Sequence, residues 1–132
     1  LYKGGIIPLK EYAKMPYDRD ILVRLIVKKE KAAFDYQSVR NSQTDFPVLT
    51  CAAAKTEAGY RFSIGARPGK AVLFELADAD IQAADVENMA ENAAKCVKEQ
   101  VGTGSNTRGS AEYRKHLAGV LVRRAVCKLA GK

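Results

Sequence analysis

Near residue 78 the hydrophobic period of this sequence changes from two to about 3.6, and few architectures accommodate that order. Before it, Tyr60, Phe62 and Ile64 alternate with Arg61 and Ser63, the pattern of a strand with one buried face. After it, Val86, Met89 or Ala90, Ala93, Val97 and Val101 recur every three or four residues, as on one side of a helix. Strands must bury one face and helices one stripe. A chain that reads strands first and helices second is therefore predicted to be α+β. The expected form is an antiparallel β-sheet of three to four strands followed by two to three helices packed on one face.

The strand candidates fall in order. Residues 21–27 (Ile-Leu-Val-Arg-Leu-Ile-Val) are rich in β-branched side chains and predict a strand. Residues 34–39 alternate Phe34, Tyr36 and Ser38 against Asp35, Gln37 and Val39, a weaker strand pattern. Residues 47–54 are apolar and predict a buried strand. Ala58-Gly59 makes a turn into 60–64, with Tyr60, Phe62 and Ile64 inward. Arg67-Pro68-Gly69-Lys70 is a second turn, from which 71–76 pairs back as a hairpin. Asp85 is placed to cap the first helix, which Glu91–Lys95 and Lys95–Glu99 spacings support. Residues 102–106 end it. Ser110 caps a second helix, with Leu117, Leu121, Ala125 and Leu129 as its core stripe. Its other face carries Arg114, Lys115, Arg123, Arg124 and Lys128. The first twenty residues read as loop, broken by Gly4-Gly5, Pro8, Pro16 and Asp18.

At 132 residues the chain suits one domain, and an apolar fraction of 47% is ample for a core. No apolar run reaches the length of a membrane span. The start, Leu1-Tyr2-Lys3-Gly4-Gly5, lacks both an initiating Met and the order of a signal peptide, so the sequence reads as cut from a longer polypeptide. Cys51, Cys96 and Cys127 form no Cys-x-x-Cys pair and lie among small apolar residues. Buried reduced thiols in a cytoplasmic protein are the expectation. The net charge of +7 raises nucleic acid as a partner. The cations are spread along the chain, however, without the aromatic interleaving of an RNA-binding sheet. A solvated basic face, or one that docks an acidic partner, is the better reading, with no nucleic acid and no membrane.

Most catalytic schemes find no residues here. The single histidine, His116, stands beside Lys115 without companions at metal spacing. Gly104 to Gly109 imitates a phosphate loop, but Ser110 stands where Lys is needed and a helix precedes it. A connector between helices explains it, although its position before a helix would let it receive an anion or a partner carboxylate. Residues 40–45, Arg-Asn-Ser-Gln-Thr-Asp, are six polar residues with no packing role. Such a loop on a rigid sheet can carry function, or can be an ordinary turn with Asn41 and Asp45 as local caps.

Two stretches bear on that choice. Residues 105–125, around the core Arg108-Gly109-Ser110-Ala111-Glu112-Tyr113-Arg114, resemble the signature closing the FAD-carrying subunit of molybdenum hydroxylases, the xanthine dehydrogenase, aldehyde oxidase and carbon monoxide dehydrogenase family. Residues 34–47 resemble the strand and loop that approach the flavin there, and Ile64-Gly65-Ala66-Arg67-Pro68 a reduced form of its Gly-rich hairpin. The resemblance implies that residues 1–20 are the tail of a preceding FAD-binding domain and that 21–132 form the flavoprotein C-terminal domain. It implies FAD held mainly by that absent upstream domain. It further implies molybdopterin and [2Fe–2S] clusters in partner subunits, and electrons leaving through the flavin. It places Gln37, Arg40, Asn41, Ser42 and Asp45 near the flavin ring or its acceptor channel, as cofactor-binding groups. It implies that Arg108, Tyr113 and Arg114 are structural. Gln37 stands where many relatives have Lys. Asn41, Ser42 and Gln43 are neutral where many carry a basic residue followed by an acidic one, and Asn106 stands where Asp is common. These departures leave NAD in doubt as the acceptor. An isolated domain of this kind would not be an enzyme. The alternative is a non-catalytic basic α+β module that docks RNA or an acidic protein, and a dimerisation domain is a third reading.

Overall fold

The structure is a computed structural model that describes residues 1–16 and 19–131, so the expected breaker Asp18 lies outside the described residues. The chain divides into two compact units, Leu1–Lys31 and Ala32–Lys132. Among its described residues the first unit contains one short helix, α1 (Leu9–Tyr12). Asp20 organises its start by accepting hydrogen bonds from the Lys3 and Gly4 N–H groups.

No strand forms at residues 21–27, contrary to the sequence expectation. Branched side chains favour extended backbone, but a strand also needs a hydrogen-bonding partner. Among the described residues of its unit this segment makes one such backbone bond, from Tyr2 N–H to the Ile21 carbonyl, at 3.0 Å.

The second unit has the expected α+β order. Strands β1 (Ala33–Val39), β2 (Leu49–Thr56), β3 (Gly59–Gly65) and β4 (Val72–Leu76) form one antiparallel sheet in chain order. A 3-10 turn (Asp78–Ile81) leads to α2 (Val86–Gln100) and α3 (Ala111–Leu129). The register aligns Asp35, Ala53, Phe62 and Phe74 across the sheet, and beside them Gln37, Cys51, Ile64 and Val72. These rows face the helices. Phe34 and Tyr36 therefore point the other way, and Phe34 is 70% exposed. Gly59 sits at φ +124° where β2 turns into β3, and a Cβ there would overlap the Leu76 carbonyl oxygen. Only glycine fits that turn.

The core lies between the inner sheet face and the two helices. Phe62, Ile64, Leu49 and Cys51 meet Ala90, Ala93, Val97, Leu121, Val122 and Val126. Burying Phe62 or Leu121 contributes about 1.5–3 kcal/mol each. Both helices begin at the caps the sequence announced. Asp85 Oδ1 accepts the Asn88 N–H at 2.8 Å, and Ser110 Oγ accepts the Tyr113 N–H at 3.1 Å. α3 buries a wider stripe than its leucine spacing suggested, including Ala118, Val122 and Val126, because it lies against β1 and β2 on one side and α2 on the other.

Three details depart from the sequence reading. Arg114 is fully buried rather than on the solvated face of α3. Cys51 is buried, but Cys96 and Cys127 are only half-buried, and all three are unbridged. Burial, with the Asp35 charge adding to it, pushes the Cys51 thiol up to about 12. The intrahelical pairs of Lys95 are also replaced: Glu91 reaches across to Arg123 instead, Oε2 to Nε at 3.4 Å.

Candidate functional site: a polar loop clasped to the start of the last helix

The loop between β1 and β2 is closed at its base by the Val48 N–H, which donates to the Val39 carbonyl at 2.7 Å. Arg40 spans the loop, its Nη1 donating to the Asp45 carbonyl at 2.5 Å, and the Asp45 N–H reaches the Ser42 carbonyl at 3.3 Å. Ser42, Gln43 and Thr44 form an exposed tip. Among the described residues no partner engages their side chains.

This loop is held by residues sixty positions further along. Asp45 Oδ1 accepts from Arg108 Nε at 3.0 Å and Nη2 at 2.9 Å, and from the Phe46 N–H at 2.7 Å. Asn41 Nδ2 donates to the Arg108 carbonyl at 3.1 Å. The Arg108 guanidinium lies 5.3 Å from the centroid of the Phe46 ring, which is 74% exposed. The hydrogen bonds from Arg108 and Phe46, aided by the Arg108 and Arg40 charges, hold the Asp45 carboxyl below its ordinary value despite some burial.

Arg108 is itself fixed from below. Asn106 and Gly109 exchange two backbone hydrogen bonds at 3.1 and 3.2 Å, and Asn106 Oδ1 accepts the Arg108 N–H at 2.9 Å. Beneath this turn lies the Arg114 guanidinium, 0% exposed. Its Nε donates to the Val48 carbonyl at 2.9 Å, its Nη1 to Gly104 and Gly109 carbonyls at 2.6 and 2.5 Å, and its Nη2 to Asn106 Oδ1 at 2.5 Å. Among the described residues it has no carboxylate partner. The planar fork of arginine suits several carbonyls at once, which a lysine could not satisfy. Of Arg108, Tyr113 and Arg114, the three residues expected to be structural, Arg108 and Arg114 tie the turn before the last helix to the β1–β2 loop and to Val48, whereas Tyr113 is 45% exposed.

The site residues expected from the sequence are thus only partly gathered. Arg40, Asn41, Ser42 and Asp45 share the loop. Gln37 does not join them. Its amide donates to Asp35 Oδ2 at 2.6 Å and to the Leu121 carbonyl at 3.5 Å, on the helix side of the sheet. There Asp35, 6% exposed, also accepts from Lys128 Nζ at 2.5 Å. Burial opposes the charge of Asp35, but the bonds from Lys128 and Gln37 outweigh it and hold the carboxyl below its ordinary value. The phosphate-loop likeness is likewise accounted for. The Ala111 and Tyr113 N–H groups at the start of α3 are taken by Ser105 Oγ and Ser110 Oγ, and the Gly104 N–H by the Arg67 carbonyl. Sequence spacing gave no sign of Asp45–Arg108 or Asp35–Lys128, pairs separated by 63 and 93 residues. Among the described residues no group of three or more potential metal ligands occurs. No helix among them is long and apolar enough to cross a membrane.

Residues 34–129, from the first strand of the sheet through the end of α3, match the family described as the CO dehydrogenase flavoprotein C-terminal domain. The chain belongs to that family. Solved structures agree on the fold. Carbon monoxide dehydrogenase from Hydrogenophaga pseudoflava, in a form lacking the Mo-pyranopterin moiety of its molybdenum cofactor, superposes with a TM-score of 0.65 at 20% identity. The match covers 78% of this chain and 38% of that one. Quinoline 2-oxidoreductase from Pseudomonas putida 86 gives a TM-score of 0.66 at 20% identity, over 76% of this chain and 38% of that one. A cyanide-inactivated Cu,Mo-CO dehydrogenase gives 0.60, also at 20% identity, with coverage of 78% and 38%. No curated protein matches the chain. The CO dehydrogenase flavoprotein C-terminal domain thus corresponds to well under half of each of these longer chains.

Proposed function

We propose that this domain is the C-terminal part of the FAD subunit of a molybdenum-hydroxylase-type oxidoreductase, where it helps enclose the flavin and relay its electrons to an acceptor. Residues 1–20 would continue from an upstream FAD-binding domain, and 21–132 would form the C-terminal domain. Partner subunits would carry molybdopterin and the [2Fe–2S] clusters. Three unbridged thiols suit a cytoplasmic location. The observation that carries this reading is the family match over residues 34–129.

The loop fits a flavin edge. Ser42, Gln43 and Thr44 offer free hydroxyl and amide groups at an exposed tip, and the polar edge of an isoalloxazine ring needs both donors and acceptors. Bound FAD would supply hydride and single-electron chemistry. This chain would supply position and field. Arg40, Asn41, Ser42 and Asp45 would line the ring or its acceptor channel, with Arg40 and Arg108 keeping that rim positive around one carboxylate. Arg108 would keep the loop from collapsing, and Gln37 would brace its strand from below through Asp35 and Leu121.

The test is the visible absorption spectrum of the full-length polypeptide that carries this domain, purified without added cofactor. A flavin spectrum that weakens or shifts when residues 40–45 are replaced by Gly and Ser is expected. A colourless protein that also fails to take up added FAD would overturn the proposal.

A further inference from the structure

The loop site leaves one feature of the domain unused: a groove of about 340 Å³ between α2 and α3 that no strand residue lines. The helices run antiparallel, since Glu91 opposes Arg123 while Lys98 opposes Gly119. Ala94 and Gly119 are buried and Val120 half-buried, so these three form its floor. Exposed Lys95 and Lys98 rise from α2, and His116 and Arg123 from α3.

Two observations ask what occupies it. First, its charge is not balanced within the chain. The one carboxylate in the lining, Glu91, is held by Arg123, and among the described residues Lys95 and Lys98 form no ion pair. Second, the fold does not require Gly119. A Cβ there would meet Lys98 Cδ at 3.6 Å and the Ala94 carbonyl oxygen at 3.9 Å, which are ordinary contacts. Glycine inside a helix disfavours the helix relative to alanine. Without a side chain there, the floor is lower by one methyl group, and the flexible Lys98 stem is what lies over it.

We propose that this groove docks an acidic helix of a partner protein, its small apolar face laid over Gly119 and Ala94 and its carboxylates reaching Lys95 and Lys98. A channel between two antiparallel helices takes the side-chain ridge of a third. A second copy of this chain is a poor occupant, because the sequence has a net charge of +7. RNA would also meet the cations, but no Phe, Tyr or Trp lines the groove to stack a base, and the floor is apolar. The inference does not depend on the flavin reading.

The experiment is an NMR titration of the isotope-labelled 132-residue chain. The probe is a synthetic Ala/Leu/Glu helical peptide of about five turns. Its controls are the same peptide with Lys for Glu, and a single-stranded RNA. The Glu peptide should shift the amide signals of Ala94, Lys98, Gly119 and Val120, with affinity falling as salt rises. The double variant Lys95→Glu, Lys98→Glu should lose about tenfold or more of that affinity. Gly119→Ala should weaken binding while the thermal midpoint stays or rises, a combination that a purely structural glycine would not produce. The proposal is overturned if the Glu peptide leaves these signals unmoved. It is equally overturned if the Lys peptide or the RNA binds there as tightly, or if the double variant keeps its affinity.

Discussion

Replacing Arg114 with Met keeps most of the volume of the stem and removes the guanidinium that joins β2 to the turn before α3. The Val48 carbonyl, at a fully buried residue, would lose its side-chain donor. An orphaned buried acceptor costs about 1–3 kcal/mol. The Gly104 and Gly109 carbonyls and Asn106 Oδ1 are only partly buried, so water replaces most of their loss, at roughly 0.5 kcal/mol each. Against this stands the relief of desolvating a buried cation that has no carboxylate beside it among the described residues. The carbonyls win because they cannot leave with the charge. The net expectation is a loss of about 2–4 kcal/mol, a large share of the ~5–15 kcal/mol typical of a domain. Urea unfolding of the 132-residue chain, followed by far-ultraviolet circular dichroism, should show a lower midpoint at unchanged slope. Arg114→Lys should fall between, since an ammonium has the charge but not the fork. A loss below about 1 kcal/mol in the Met variant would refute the reasoning, because the four acceptors would then not depend on the guanidinium.

Asn106→Asp puts a carboxylate 2.5 Å from Arg114 Nη2 and should stabilise the domain by about 1 kcal/mol at neutral pH. The new carboxyl would be held low in the folded state, so the gain should be present above about pH 4 and vanish as pH falls; equal stability of the variant at pH 7 would count against it. The Asp35 carboxyl is already held below its ordinary value. It therefore contributes stability that is complete above about pH 4 and is lost as pH drops through the folded value, and Asp35→Asn should flatten the acid limb of the stability curve. An unchanged acid limb would mean that Lys128 and Gln37 do not favour the charged form. Gly59→Ala forces a side chain into φ +124° and onto the Leu76 carbonyl, and should cost about 2–4 kcal/mol in the same unfolding assay. A smaller loss would show that the turn can relax.

Local signals located most of the elements in the second unit. Alternation at Tyr60, Phe62 and Ile64 found β3 and its inward face, and Asp85 and Ser110 found both helix starts within one residue. These succeed because a strand's alternation and a helix cap depend on neighbours in sequence. The same logic misled at residues 21–27, where apolar branching promised a strand that has no ladder to join. It was also silent on which face of β1 turns inward. Phe34 and Tyr36 are the larger apolar groups, yet Asp35 and Gln37 are the ones facing the helices.

Of the candidate site, the sequence revealed the polar loop at 40–45 and its lack of any packing role, because six consecutive polar residues cannot feed a core. It did not reveal what holds that loop. Arg108 meets Asp45, Lys128 meets Asp35 and Arg114 meets Val48 only after α3 has crossed back over β1 and β2. A charged side chain on a helix carries no mark of whether its head will reach water or a carbonyl sixty residues away. That choice belongs to the packing of the helix on the sheet. It buries Arg114, leaves Lys95 and Lys98 exposed without ion pairs among the described residues, and so separates cations that composition alone would count as alike.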